Sequence, residues 1–389
     1  MGVAMIGPAK GEELTLTNSN PSATIAIFFD GTGNNMYNTD EHNAHEKLIA
    51  NRPVVDSSTR FTDLDVKDIS DGDKYQSALN KNVYEKNTDH DTSSYENAYS
   101  NVVWLFKNYD YKKYPNHFRL YIEGIGTVKL QKDDILDGIA LGRNEHGIPA
   151  RVADACKYVA DTLAGLDFSN GKKIVEMLTI DLFGFSRGSA AARHFVYEIY
   201  RDPFSAVPKD TYYVDKMGNQ TQFAEFPFRG YLGAYCKKNN IQINNINVRF
   251  VGLFDCVASY SKDIIASAIF DAHPETTPDA FQNDTRELNL DFIGTTAKRV
   301  VHLTAGDEHR ANFPLTDTRS VGANSIDPNG SGSKRTELVL PGVHSDVGGC
   351  YEDKKDEKIE RLIQMDATIE DAVKEFFLDK FKRKNTGWY

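Results

Sequence analysis

A chain of 389 residues, 40% hydrophobic and 26% charged, has the balance of a folded globular protein and room for one large domain or two ordinary ones. Its net charge of −11 argues against nucleic acid as a partner and against simple electrostatic adsorption to anionic membranes. No run approaches the roughly 18 apolar residues of a transmembrane helix, so no transmembrane anchor is expected.

The start MGVAMIGPAKGEELTL lacks the basic lead and apolar core of a signal peptide, and Ile6 stands where a myristoylation signal needs Ser or Thr. The expectation is a chain made in the cytoplasm without a signal peptide. Cys156, Cys236, Cys256 and Cys350 are scattered and fit no metal spacing; Cys156 and Cys256 sit in apolar contexts and read as small core residues.

Residues 1–23 read as a polar, extended segment. Thr24–Phe29 is a short buried strand that ends in Asp30-Gly31-Thr32-Gly33-Asn34-Asn35. A loop so rich in Gly, Thr and Asn after a strand can turn backbone N–H groups toward a ligand; its plain alternative is an Asx-type turn. No G-K-[ST] is present, which discounts a phosphate cradle. Residues 36–95 are polar and aperiodic and read as a long surface insertion. Tyr95, Val102, Val103, Leu105 and Phe106 place a helix within Tyr95–Tyr109. Phe118–Ile122 is a strand ending in a second Gly-rich turn, and Arg151–Leu166 carries a helical stripe of Val152, Cys156, Val159, Leu163 and Leu166.

Val175–Leu182 is the next strand. The chain then turns on Gly184-Phe185-Ser186-Arg187-Gly188 and continues through small residues into a helical pattern of Phe195, Val196 and Ile199. A G-x-S-x-G between strand and helix is the nucleophile elbow of α/β-hydrolases. The bare pentapeptide arises by chance on the order of once in ten chains of this length, so the weight lies in its placement. The two glycines avoid collisions with the adjoining strand and helix, and the N–H of Arg187 is aimed to stabilise an oxyanion. The plain alternative is a tight turn with a solvated serine. Strand and helix alternate at a spacing that predicts an α/β-hydrolase-like α/β fold, a mostly parallel central sheet with helices on both faces and inserted lid-like segments.

Residues 201–240 hold many aromatics without strong periodicity, at a place where such folds commonly grow lids. Asn247–Phe254 is a buried strand ending at Asp255. A further insertion spans 258–290; within it Asp263–Phe270 is either a core helix or a lipid-facing lid. Lys298–Thr304 and Thr336–Leu340 are the last strands, the second leading into Pro341-Gly342-Val343-His344. The tail 352–389 is charged, with an amphipathic helix around Ile359–Phe377.

An acyl-transfer serine needs a base, and the base an orienting carboxylate. Ser186, Asp255 and His344 occur in the chain order of α/β-hydrolases, each at the carboxyl end of an apolar run where open α/β sheets place their sites. Asp255 could instead cap a helix. His302 lies within a strand and reads as a satisfied core residue, and His309 in DEHR as part of a solvated turn. Asp346 with Gly348-Gly349 reads as a structural turn, and no metal site is expected because no carboxylates show calcium spacing.

The stretches FFDGTGNN, LTIDLFGFSRGSAAAR, FVGLFDCVAS and LPGVHSDVGG resemble the signature stretches of the α/β-hydrolase domain in type VI secretion phospholipase effectors, over residues 24–351. The resemblance implies a phospholipase A-type activity on membrane glycerophospholipids, delivered by a type VI system to the periplasm of a rival cell. It implies Ser186 as nucleophile, Asp255 as orienter, His344 as base, and Asp30, Gly31, Thr32 and Gly33 with Arg187 at the oxyanion and substrate site. It further implies an immunity protein and a spike or carrier protein as partners. No cofactor is expected, with calcium at most an aid to lipid binding. Two departures stand out: Cys350 replaces a glycine of the family pattern, and 38 residues follow Tyr351 where many effectors continue much further. A soluble carboxylesterase or thioesterase, and a non-catalytic hydrolase-fold binding module, are the competing readings.

Overall fold

The structure is a computed structural model that describes residues 20–50, 94–131, 133, 146–168, 171–258, 288–310, 313–318 and 335–350, with side chains left aside at 45–50. Most of the expected N-terminal segment, of the 36–95 insertion, of the 258–290 insertion and all of the 352–389 tail lie outside the described residues.

Among the described residues six strands form one parallel sheet: β1 (Ala23–Phe29), β2 (His117–Ile122), β3 (Lys173–Phe185), β4 (Ile241–Phe254), β5 (Arg299–Ala305) and β6 (Arg335–Leu340), in the spatial order β6-β5-β4-β3-β1-β2. Every pairing is parallel. The chain steps from β1 to β2 on one side, then crosses back to β3 and moves outward through β4, β5 and β6. The order therefore reverses between β1 and β3. Loops leaving their carboxyl ends diverge there, which opens the crevice where ligands bind in open α/β sheets.

The alternation of β1 divides the core in two. Ile25, Ile27 and Phe29 meet α3 (Ile148–Ala164) and α4 (Arg187–Glu198), through Val152, Cys156, Val159, Leu163, Phe195 and Val196. Ala26 and Phe28 face the other way, onto Val102 and Val103 of α2 (Asn101–Asn108). Helices thus cover both faces of the sheet at β1, as a strand buried on both sides requires. The stripe on α3 is the one read from the sequence, and Pro149 in its first turn and Gly165 at its end mark the helix limits.

Two stretches differ from expectation. The surface insertion begins instead with a helix, α1 (Met36–Ala50). Beyond Met36 its buried residues Asn38 and Thr39 are polar, so no apolar period announces it. Asn38 Nδ2 donates to Ser94 Oγ (2.8 Å) and to the Val128 carbonyl (3.1 Å), and Thr39 Oγ1 donates to the Asn97 carbonyl (3.0 Å). The helix expected from Tyr95 starts only at Asn101, because Ser100 caps it by accepting the Val103 N–H (3.2 Å).

Residues 201–240 form five two-residue strands and the helix α5 (Gly230–Lys238). Their aromatics pack on one another, with Phe204 and Phe226 stacked at 4.4 Å and Phe226 against Tyr231 at 4.7 Å. Arg229 Nη1 donates to the Ile243 carbonyl (2.6 Å), near the start of β4. This stretch packs against α3 on one face of the sheet.

Candidate active site

β3 is buried along its second half, and at its end the chain reverses in one residue. Ser186 has φ 55° and ψ −127°, a left-handed conformation that a side chain adopts only at a cost of order 1–3 kcal/mol. A Cβ on Gly184 would come within 2.6 Å of the Gly188 carbonyl, and one on Gly188 would overlap the Phe29 and Asp30 carbonyls at the end of β1. The glycines of the G-x-S-x-G are therefore required by strand, helix and neighbouring strand together. The strained turn is pinned from outside: Ser186 N–H donates to the Phe254 carbonyl (3.0 Å), and Ser189 Oγ donates to that same oxygen (3.1 Å).

Asp255 follows β4 directly. It too has positive φ (38°), and its N–H donates to the Leu303 carbonyl on β5 (2.7 Å). One carboxylate oxygen accepts the Ala305 N–H (2.8 Å), and the other accepts from His344 Nδ1 (2.6 Å). Asp255 and His344 are each 3% exposed. The carboxylate here accepts, so the imidazole carries its proton on Nδ1, and Nε2 keeps a lone pair.

His344 opens a one-turn helix, His344–Gly348, after β6. Its ring lies between Phe185 and Phe313, with both centroids 4.7 Å away. Its N–H donates to Glu308 Oε2 (3.1 Å), which also pairs with Arg310 (2.6 Å). Burial would raise the Glu308 carboxyl, but the Arg310 guanidinium and the N–H donors hold it at about 2.

The sheet brings together the three residues expected to form a catalytic triad. The Asp255–His344 link is made. Ser186 is adjacent to Phe185, which touches the imidazole, but Ser186 Oγ and His344 Nε2 are not hydrogen-bonded among the described residues; such a bond commonly tightens only with substrate.

The loop after β1 lies against the elbow. A Cβ on Gly31 would strike the Phe185 ring, as would one on Gly348 from the other side. Asp30 turns its carboxylate into a buried network: it accepts from Ser100 Oγ (2.5 Å), Tyr121 Oη (2.6 Å) and Gly31 N–H (2.8 Å). Burial raises its carboxyl to about 6 despite those three bonds. Asp30 thus shapes the loop from beneath. Gly33 N–H goes to the Ile125 carbonyl and Asn34 N–H to the Gly31 carbonyl, so of Gly31–Asn34 it is Thr32 whose N–H these bonds do not use. Among the described residues, Thr32 Oγ1 is buried without a hydrogen-bond partner. Arg187 occupies the first position of α4, directly after the elbow serine. Its guanidinium is lowered to about 10 by burial.

The sequence reading missed Phe185, Phe313 and Glu308. Glu308 was read as part of a solvated turn; His309 beside it is exposed, while the Glu308 side chain is only 7% exposed. Nothing local distinguishes the two, because Glu308 is buried by the His344 loop from far along the chain. His302 is a satisfied core histidine, as read. Among the described residues no group of three or more His, Cys, Asp or Glu could hold a metal ion.

A parallel sheet with an elbow serine after one strand, an acid after the next and a histidine after the last defines an α/β-hydrolase-type fold. Residues 85–370 match the family described as "T6SS, Phospholipase effector Tle1-like, catalytic domain", and the chain belongs to that family. No curated protein matches it. Two solved structures are similar to it. "Structure of the Tle1 effector bound to the VgrG spike from the Type 6 secretion system" is 26% identical with a TM-score of 0.41, over 87% of this chain and 53% of that one. "Crystal structure of an uncharacterized protein from Pseudomonas aeruginosa" is 19% identical with a TM-score of 0.36, over 86% of this chain and 42% of that one. The chain spans about half the length of the solved chains it matches.

Proposed function

We propose that this chain is a serine-dependent phospholipase of the A type, hydrolysing glycerophospholipid esters through an acyl-enzyme. The observation that carries the proposal is the Asp255–His344 hydrogen bond of 2.6 Å beside a strained elbow serine. Ser186 Oγ attacks the ester carbonyl while His344 Nε2 takes its proton. Asp255 holds the Nδ1–H tautomer and stabilises the imidazolium. The N–H groups of Arg187 and Thr32 receive the oxyanion. His344 returns the proton to the departing alcohol, and a water activated by the same nitrogen then releases the fatty acid. Each step uses side chains and backbone of this chain, so the cycle calls for no cofactor.

Family membership supports delivery by a type VI system, and with it a spike or carrier partner, a target-cell periplasm as the place of action and an immunity protein in the producer. No described helix is long and apolar enough to cross a membrane. The test is fatty-acid release from phosphatidylethanolamine and phosphatidylglycerol vesicles by wild type and Ser186→Ala. Release lost in the variant is expected. Release that persists in the variant refutes a serine mechanism, and wild type that cleaves only short-chain soluble esters points to a carboxylesterase.

A further inference from the structure

Behind Asp255 lies a second carboxylate–imidazole pair. His302, on β5, is completely buried. Its Nε2 lies 3.0 Å from the backbone nitrogen of Cys256, the residue after Asp255. A backbone N–H can only donate, so Nε2 must be the unprotonated acceptor. The ring proton is then on Nδ1, 3.1 Å from Glu337 Oε2 on β6, which accepts it. The tautomer of His302 is thus fixed from both ends. Glu337 is itself held in place, accepting the Thr318 N–H and Oγ1, each at 3.0 Å.

The turn that this bond supports is under strain. Asp255 has φ 38°, a conformation that persists only where its surroundings over-determine it. Asp255 N–H goes to the Leu303 carbonyl (2.7 Å), and the Cys256 carbonyl accepts the Thr316 N–H (2.7 Å). Arg193 grips the far side, donating to the Thr316 carbonyl (2.9 Å) and contacting Cys256 Sγ (3.6 Å). Without His302 the Cys256 N–H would be a buried donor with no acceptor, and the turn would be released to find one.

We propose that His302, with its tautomer set by Glu337, is a positioning residue for ester hydrolysis that fixes the Asp255 carboxylate against His344 through the Cys256 N–H. The proposal rests on the reading of Ser186, Asp255 and His344 as a working triad. His302 touches neither substrate nor the reacting atoms. Its effect falls on kcat, because the Asp255–His344 geometry matters in the transition state, and not on KM, because the fully buried His302 ring is out of reach of a lipid.

The test compares wild type, Ser186→Ala, His302→Phe and His302→Gln on phosphatidylglycerol vesicles, with rates taken per folded molecule from thermal melts and circular dichroism. His302→Phe removes the acceptor and is expected to lower kcat about a hundredfold, the scale of an ångström-level misplacement, with KM unchanged. His302→Gln can present an amide oxygen to Cys256 N–H and is expected to recover at least about tenfold of that loss. If the phenylalanine variant does not fold, His302→Asn replaces it, since its shorter amide can reach Glu337 but not Cys256, and the same loss is expected. Activity in Ser186→Ala overturns the serine reading and this proposal together. An inactive Ser186→Ala with wild-type kcat in His302→Phe or His302→Asn overturns this proposal alone. So does a folded glutamine variant no faster than they are.

Discussion

The ring of Phe185 lies 4.7 Å from the His344 imidazole, with their planes 34° apart. The residue before the elbow serine is thus the surface against which the base is held. One short stretch of chain fixes both the nucleophile and the ring that must reach it. The same ring fills the space beside Gly31 and Gly348, so the loops after β1 and β6 both close onto it.

Gly348→Ala is therefore expected to damage activity more than stability. Its new methyl group would overlap the Phe185 ring, and the mobile party is the short His344–Gly348 turn rather than the end of the buried strand. A shift of that turn by about an ångström is expected to lower kcat on the order of a hundredfold. Vesicle hydrolysis and a thermal melt measured together check this. A variant that keeps full kcat would show that His344 does not depend on this packing.

Asp255→Asn separates charge and tautomer from shape. The amide fills nearly the same volume and can still accept the Ala305 N–H, but its NH₂ group would face His344 Nδ1 and favour the wrong tautomer. Loss of about 10⁴-fold in kcat is the scale expected for such a change in a serine triad. The measurement is kcat on vesicles with near-ultraviolet circular dichroism as a fold control. A loss below about tenfold would mean that Asp255 does not orient the base.

The fold was legible where apolar spacing repeats. The stripe Val152, Cys156, Val159 and Leu163 predicted α3, and the runs before Asp30, Ser186, Asp255 and His344 predicted the strands that present them. α1 was not legible, because Asn38 and Thr39 satisfy one another's neighbours through polar bonds and leave no hydrophobic period. The chain order Ser186, Asp255, His344 could be read because each residue follows its own strand, His344 after a short turn. Asp30 was read with the oxyanion loop, but its side chain belongs to Ser100 and Tyr121, brought from two later elements. Glu308, Phe313 and the Glu337–His302 pair depend on contacts between distant segments, which local pattern does not encode.

His194 supplies a pH dependence of defined sign. It is buried on α4, its Nδ1 donating to the Leu288 carbonyl (2.7 Å), and burial lowers it to about 4 from an ordinary 6.5. The unfolded chain therefore binds the proton more readily than the folded one. His194 contributes stability that is present above about pH 6.5 and lost as pH falls toward 4, on the order of 3 kcal/mol across that window. His194→Asn keeps a donor at the Nδ1 position and does not titrate. The difference in unfolding free energy between wild type and variant is expected to fall as pH drops from 6.5 to 4.5, in urea melts at each pH. A difference that stays constant would show that the ring titrates alike in both states.

Asp30 runs the opposite way. Burial raises its carboxyl to about 6 from 3.8, so between those values the folded chain holds a proton that the unfolded chain has released. Its contribution is fully present below about pH 4 and is lost as pH rises through 6, again on the order of 3 kcal/mol. At neutral pH the ionised form persists because Ser100, Tyr121 and the Gly31 N–H all donate to it. Asp30→Asn removes the titration but also one acceptor, leaving Tyr121 Oη to reorganise around the Met36 N–H that it already accepts at 2.8 Å. Relative to wild type, the variant is expected to be least stable near pH 4 and to close the gap as pH rises past 6, in urea melts at matched ionic strength. Kinetically, an effect on kcat larger than on stability would place Asp30 among the residues that set the Gly31–Gly33 backbone for the oxyanion. A stability change with kcat intact would confine it to joining α1, α2 and β2 beneath the site.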